Sequence, residues 1–285
     1  MAPVMSESMV ITVFGLGEAG SLLAADLASA GAAVQGYDPA DVPTPTGVTR
    51  HQAPATAVKG SRLVMAATAA ADAQRAIAQA WDEMRRGTVY ADLSTAPPGL
   101  KMDLADTAAL RGLPFADVAL MAPVPGNGLA TPSLASGPGA ENYAGIVGSL
   151  GGIVEVIGER PGDAAARKLL RSVVVKGLAA LVIESLQAAE AHGEPDWAWG
   201  HIVELVASAD ESFLRRLISG TTRHVDRRLV EMESARAFLE GLGVDPNMTS
   251  ATFESLRRIK DDGMPGAASA ISLDARPQET STASS

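Results

Sequence analysis

Residues 9–38 read MVITVFGLGEAGSLLAADLASAGAAVQGYD. Val10, Ile11, Thr12 and Val13 make a β-rich run, and Gly15-Leu16-Gly17-Glu18-Ala19-Gly20 follows it directly. An Ala/Leu-rich helical stretch carrying Leu22, Leu23 and Leu27 then ends at Gly31, and a second β-rich run, Ala32–Tyr37, finishes on Asp38. A GxGxxG pattern alone is weak; lying between a strand and a helix inside a βαβ unit it is specific. The chemistry explains the residue types. Gly15 permits the tight turn, Gly17 lets backbone approach a pyrophosphate, and Gly20 lets helix and strand pack closely. The helix N-terminus presents free N–H groups and a partial positive charge, so Gly15, Leu16, Gly17, Glu18 and Ala19 are the expected dinucleotide contacts. Asp38 stands where an acid accepts from the ribose 2′- and 3′-hydroxyls and would repel a 2′-phosphate. No Arg or Lys lies between Gly20 and Arg50 to neutralise one, so the expected cofactor is NAD rather than NADP. The bland alternative is a structural glycine turn beside a surface acid.

The same alternation continues outward. Short β-rich runs recur at Arg62–Ala66, Thr88–Leu93, Phe115–Leu120 and Gly152–Ile157, with helical stretches at Ala19–Ala30, Ala71–Arg86, Pro98–Leu110 and Glu141–Leu150. Strand and helix in repetition predict an α/β domain, a Rossmann-type doubly wound parallel sheet with helices on both faces. Ala122–Gly139 (APVPGNGLATPSLASGPG) is too rich in Pro and Gly for a regular element and reads as a functional loop or an edge hairpin. After Pro161-Gly162 the β pattern stops. Asp163–His192 contains no Pro and predicts a helix of roughly 45 Å, apolar round most of its circumference. Further helices are expected at Trp197–Ser219, Thr221–Leu242 and Thr249–Asp262. The expected domains are a flexible arm over 1–8, a dinucleotide-binding domain over 9–161, an all-α substrate and dimerisation domain over 162–262, and a flexible tail over 263–285.

Composition narrows the function. The chain has 285 residues, 47% hydrophobic and 20% charged, which excludes wholesale disorder. Net charge is −10, and neither half is basic, so no nucleic-acid partner is expected. Zero cysteines exclude disulfides and thiolate chemistry. The histidines His51, His192, His201 and His224 are scattered, so no metal is expected, and no G-x-S-x-G elbow supports acyl transfer. No apolar run approaches the ~20 residues of a membrane span, and residues 1–8 lack a basic n-region. A soluble cytoplasmic protein is expected.

Four segments together resemble the β-hydroxyacid dehydrogenase superfamily, which includes 3-hydroxyisobutyrate dehydrogenase. They are the Gly15–Gly20 turn, Asp92-Leu93-Ser94-Thr95, Ala122-Pro123-Val124-Pro125-Gly126-Asn127 and Lys168-Leu169-Leu170-Arg171-Ser172. Residues 168–193 and 223–243 look closer to a 6-phosphogluconate dehydrogenase-like branch of undefined substrate. The resemblance implies NAD(P)-dependent oxidation of an alcohol near a carboxylate, with Thr68 and Ser94 among the cofactor contacts. It also implies that Lys168 is the general acid/base, that Ser172 stands where the family has a substrate-positioning asparagine, and that the 125–127 loop meets the substrate carboxylate. There the family's Ser-Gly-Gly is Pro125-Gly126-Asn127, and its aspartate before Ala-Pro-Val is Met121. Proline supplies neither hydroxyl nor N–H, so Gly126 and Asn127 are left as the donors.

Read from the residues, Lys168 and Ser172 share a helix face and Lys176 continues it. A solvated stripe is the alternative. A lysine suits the reaction, since oxidising an alcohol needs a base for the hydroxyl proton as hydride leaves. Lys176, His224 and Arg227 are candidate substrate contacts. His224, Arg227, Arg228 and Glu231 fall on one face if 221–242 is one helix, although Arg227 and Glu231 equally suit an intrahelical ion pair. The leading expectation is an NAD-dependent oxidoreductase acting on a small anionic carboxylate-bearing hydroxy, keto or aldehyde substrate. An imine reductase on the same architecture is the runner-up, although such enzymes generally carry Asp or Tyr where Lys168 stands. A non-catalytic NAD-binding protein is the third. The greasy long helix predicts a homodimer.

Overall fold

The computed structural model describes residues 9–274, so the arm over 1–8 and the last part of the expected tail lie outside the described residues. Eight strands form one sheet: β1 (Val10–Phe14), β2 (Ala33–Tyr37), β3 (Val48–Arg50), β4 (Leu63–Ala66), β5 (Val89–Asp92), β6 (Phe115–Leu120), β7 (Ser133–Ser136) and β8 (Val154–Gly158). Their order is β3-β2-β1-β4-β5-β6-β7-β8, with every pairing parallel except β6 with β7. Between them lie α1 (Glu18–Ser29), α2 (Pro54–Ala57), α3 (Ala70–Ala78), α4 (Pro98–Ala109) and α5 (Ala140–Gly148).

Side chains alternate across the pleat, which gives the sheet two cores. Ile11, Val13, Leu63 and Met65 face Leu23 and Leu27 of α1, with Tyr143 and Ile146 of α5 on the same side. Phe14, Val64, Tyr90 and Phe115 face Ile77 of α3 and Leu104 and Ala108 of α4. Both faces are covered, as the doubly wound pattern requires.

Two strands escaped the sequence pattern. β3 is a three-residue edge strand, too short for periodicity to register. β7 lies inside the Pro/Gly-rich stretch and pairs antiparallel to β6, so this segment is the hairpin alternative rather than all loop. The stretch 71–86 is helical only through Ala78, then closes in a 3-10 turn at Trp81–Glu83.

Contacts divide the chain into two compact units, one through Ser172 and the other from Val173. The long helix, α6 (Asp163–His192), runs its full predicted thirty residues. It is followed by α7 (Pro195–Ala207), α8 (Glu211–Arg223), α9 (Val225–Gly241), α10 (Asn247–Asp262) and α11 (Gly266–Asp274). The expected single helix over 197–219 is two, because Asp210 caps α8 by accepting from Phe213 N–H at 2.7 Å. The expected tail is helical over residues 266–274, where Ala-rich sequence forms α11 against α8. Among the described residues no helix is long and apolar enough to cross a membrane.

Candidate functional site

The turn after β1 divides its work among three glycines. Gly15 sits at φ +87° and donates to Tyr37 O at 2.8 Å. A Cβ there would lie 2.3 Å from Thr68 Cγ2 and 2.7 Å from Ala67 O, so Thr68 packs against the turn. A Cβ on Gly20 would meet Gly15 O at 2.0 Å. Gly17, in contrast, has nothing within 4 Å of its Cβ position, and it caps α1 without any side-chain hydrogen bond to the helix N-terminus. An open cradle at a helix N-terminus suits a pyrophosphate. Leu16 buries its side chain and donates its N–H to Asp38 Oδ2 at 2.7 Å, while Ala40 N–H donates to Asp38 Oδ1 at 2.8 Å. Glu18 is exposed and Ala19 half-buried at the head of α1.

Beside the turn a hollow of about 300 Å³ is lined by Gly15, Tyr37, Pro39, Thr68 and Arg75. A second, of about 420 Å³, is lined by Asp38, Asp41, Arg50 and Gln52. Arg50, distant in sequence, enters here. Its guanidinium donates to the carbonyls of Val42 and Ala40, and to Asp38 O at 3.2 Å, fastening the 38–42 loop. The residues present therefore fit the adenosine half of a dinucleotide.

Ser94 lies at the carboxyl end of β5, buried, and its N–H donates to Asp92 Oδ1 at 2.8 Å. Its hydroxyl has no hydrogen-bond partner among the described residues. Behind it stands a group that the sequence reading missed. Asp92 and Asp117 are paired across β5 and β6, and the fully buried Lys101 of α4 reaches both. Its ammonium is 3.5 Å from Asp92 Oδ1 and 3.3 Å from Asp117 Oδ1, and donates to Asp92 O at 2.8 Å. Asp117 Oδ2 in turn accepts from Gly162 N–H at 3.1 Å, Ala165 N–H at 2.9 Å and Ser136 Oγ at 3.2 Å. A buried ion group adds little net stability over apolar residues of equal volume. What it supplies here is geometry, since it ties the Ser94 turn to the first turn of α6, which Asp117 caps. Burial first, then the Asp92 carboxylate, pushes the Tyr90 phenol well above its ordinary range, so it stays neutral. The available signal was an acid inside a buried strand, FADVAL.

Pro125, Gly126 and Asn127 are exposed at a turn in which Gly126 has φ +85°. Asn127 N–H donates to Val124 O at 2.9 Å, and its side-chain amide donates to Pro123 O at 2.8 Å. The turn itself thus engages the backbone N–H of Asn127, one of the two donors expected there. Asp26 of α1 accepts from Leu129 N–H at 2.7 Å, anchoring the loop across 103 residues of sequence.

On α6, Lys168 and Ser172 are half-buried one turn apart and Lys176 is exposed. In the unit from Val173, Glu184 accepts from Met248 N–H at 2.6 Å, Thr249 N–H at 2.9 Å and Thr249 Oγ1 at 2.6 Å, capping α10. Burial pushes its carboxyl up, but these bonds, with Asn247 N–H, outweigh that and hold it below its ordinary value. His224 is exposed at the junction of α8 and α9, so 221–242 is not one helix and His224 does not extend the face of Arg227. Arg228 turns back onto Thr221 Oγ1 and Leu217 O, and Arg227 pairs with Glu231 at 3.4 Å on an exposed face.

Residues 10–137 match the NAD binding domain of 6-phosphogluconate dehydrogenase, and residues 189–259 match a domain of unknown function, DUF1932. No curated protein matches the chain. Among solved structures, a conserved hypothetical protein from Sinorhizobium meliloti 1021 is 27% identical, with TM-score 0.57, over 94% of this chain and 97% of that one. The imine reductase from Myxococcus stipitatus in complex with NADP⁺ is 20% identical, with TM-score 0.76, over 89% of this chain and 95% of that one. Its V8 variant in complex with NAD⁺ is 19% identical, with TM-score 0.75, over 90% and 95%. The chain carries an NAD(P)-binding domain and resembles the β-hydroxyacid dehydrogenase superfamily, with the 6-phosphogluconate dehydrogenase type of NAD domain set before a helical domain of unknown function.

Proposed function

We propose that the chain is an NAD-dependent oxidoreductase acting on a small carboxylate-bearing hydroxy, keto or aldehyde substrate, with Lys168 as general acid/base. The observation that carries the cofactor half is the open Gly17 cradle with Asp38 fixed beside it. When bound, the nicotinamide would accept or deliver the hydride. The backbone of Gly15–Ala19 would hold the pyrophosphate, Thr68 would flank it and Ser94 would meet the nicotinamide side. Asp38 keeps acceptor capacity for ribose hydroxyls after receiving the N–H groups of Leu16 and Ala40. Its charge disfavours a 2′-phosphate, and Arg50 spends donors on three carbonyls. Lys168 would move the proton at the substrate oxygen, with Ser172 one turn on to position the substrate. Lys176 and the remaining N–H of Gly126 would contact the substrate anion; Arg227, already paired with Glu231, is the weakest of the candidate contacts.

One observation favours a second reading. Pro125 has no N–H, and the backbone N–H of Asn127 and one N–H of its amide are used within the turn, so the loop offers fewer donors to a carboxylate. An imine carbon needs no such grip. Turnover of 3-hydroxyacids and their oxo counterparts with NAD(H), set beside cyclic imines with both reduced cofactors, separates the two readings. With the substrate so found, Lys168→Ala should lower kcat by ~10²–10⁴, the usual cost of losing a general acid/base. The oxidation rate should rise with pH through one ionisation that vanishes in the variant. Near-normal kcat in Lys168→Ala would overturn the mechanism. Binding of NADH without turnover of any substrate in the panel would favour a non-catalytic NAD-binding protein.

A further inference from the structure

The sheet carries a further hollow at the opposite ends of its strands. Rossmann-type sheets bind dinucleotides at the carboxyl ends of their strands, where Gly15–Gly20 lies. At the amino ends of β1, β4 and β5 a depression of about 530 Å³ is lined by Arg62, Arg85, Arg86, Thr88, Glu141 and Asn142 among others. That volume is within the ~300–1,000 Å³ of small-molecule sites. The chain has a net charge of −10, and only nine basic residues precede residue 161, yet three of them converge here against one carboxylate.

The backbone holding them is rigid. Arg62 N–H donates to Val10 O at 2.9 Å, and Arg62 O accepts from Val89 N–H at 2.9 Å, so its Cα is locked between β1 and β5. Arg85 and Arg86 begin a reverse turn closed by Thr88 N–H to Arg85 O at 3.0 Å, with Gly87 at φ +84° in the place where a type II turn needs glycine. Gly112 leaves room for the Arg86 guanidinium, since a Cβ there would meet its Cζ at 2.9 Å. The acids nearest in sequence are engaged elsewhere: Glu83 with Lys59 at 3.3 Å and Asp82 with Arg111 at 4.0 Å. Among the described residues, none of the three guanidiniums has an ion-pair or hydrogen-bond partner.

We propose that this depression is an anion site, separate from the glycine turn, for a small phosphate-bearing polyanion. Guanidinium forks match phosphate geometry bidentately, and three on fixed supports suit a ligand with two anionic groups. Exposed arginines with no partners are not needed for folding, which makes the test clean. The full-length protein, with NADH and NADPH in excess to fill the glycine turn, is titrated calorimetrically with inorganic pyrophosphate against sodium chloride of equal ionic strength. One saturable site is expected, weakening with added salt. Arg62→Gln and Arg85→Gln should each reduce its affinity about tenfold, the scale of one lost charge-assisted hydrogen bond. Arg257→Gln, on α10 and paired with Glu254 at 2.8 Å, lines no part of the depression and should leave it unchanged. Absence of saturable heat beyond the salt control, or equal affinity in all three variants, would overturn the assignment.

Discussion

Gly17 and Gly20 stand three residues apart in one turn and face opposite constraints. A methyl at Gly20 lands 2.0 Å from Gly15 O, inside the packing of helix on strand, whereas a methyl at Gly17 meets no protein atom. Gly20→Ala should therefore destabilise the fold by about 1–3 kcal/mol, the range for overpacking, as read by urea denaturation. Gly17→Ala should cost less than about 1 kcal/mol as a poorer helix cap. Its NADH affinity should nevertheless fall by about tenfold or more, because ~1.4 kcal/mol of lost contact suffices for that. Equal effects of the two substitutions on folding and binding would contradict this division of labour. Asp38→Ala with Pro39→Arg removes a carboxylate and supplies a phosphate partner, so the ratio of NADPH to NADH affinity should rise. The measurement is a fluorescence titration of each reduced cofactor, and wild-type protein that prefers NADPH would refute the role given to Asp38.

Helix ends are the next scale. α6 starts where Asp117 accepts from Gly162 and Ala165, and α10 starts where Glu184 accepts from Met248 and Thr249. Glu184 is 7% exposed, and its hydrogen bonds lower its pKa in the fold. A lowered folded pKa adds stability at pH above the unfolded value of ~4.3, and that stability is lost as pH falls through the folded value. Glu184→Gln should thus destabilise by about 0.5–2 kcal/mol at neutral pH, the range for losing a cap. The difference in melting temperature from wild type should shrink as pH falls below about 4. A difference independent of pH would mean that the carboxylate charge is not what matters.

At the scale of the whole molecule, the apolar surface is unusual. Leu170, Val173, Val174 and Trp197 are 70%, 73%, 69% and 67% exposed, and Ile183, Trp199 and Val230 add to them. Leu170, Val173 and Val174 share one face of α6, and monomeric proteins rarely leave contiguous apolar area to water. The expected state is a homodimer that buries this face against its copy. Light scattering at micromolar concentration should report twice the chain mass, and Leu170→Glu with Val173→Glu should shift it to the monomer. A wild-type monomer would overturn the expectation.

The βαβ unit over residues 9–38 was legible because its signals are local: a β-branched run, three glycines at fixed spacing and an acid one strand later. Strand β2 begins 19 residues after β1 ends, and the parallel partners they form follow from that sequence alone. The thirty residues of α6 were equally legible, since nothing within them breaks a helix. The direction of β7 was not, because Ser-Leu-Ala-Ser has no strong pattern and pairs with β6 only once both strands are in the sheet. Lys101 lay unremarked in the helical stretch Pro98–Leu110. Its meaning depends on Asp92 and Asp117, which come together through strand order and register. Asp26 and Arg50 acquire their loops in the same way. Hydrophobic period and glycine spacing specify which elements form, because neighbouring residues decide them. Partners of buried charges are decided by which elements become neighbours, and that is settled only when the sheet closes over its two cores.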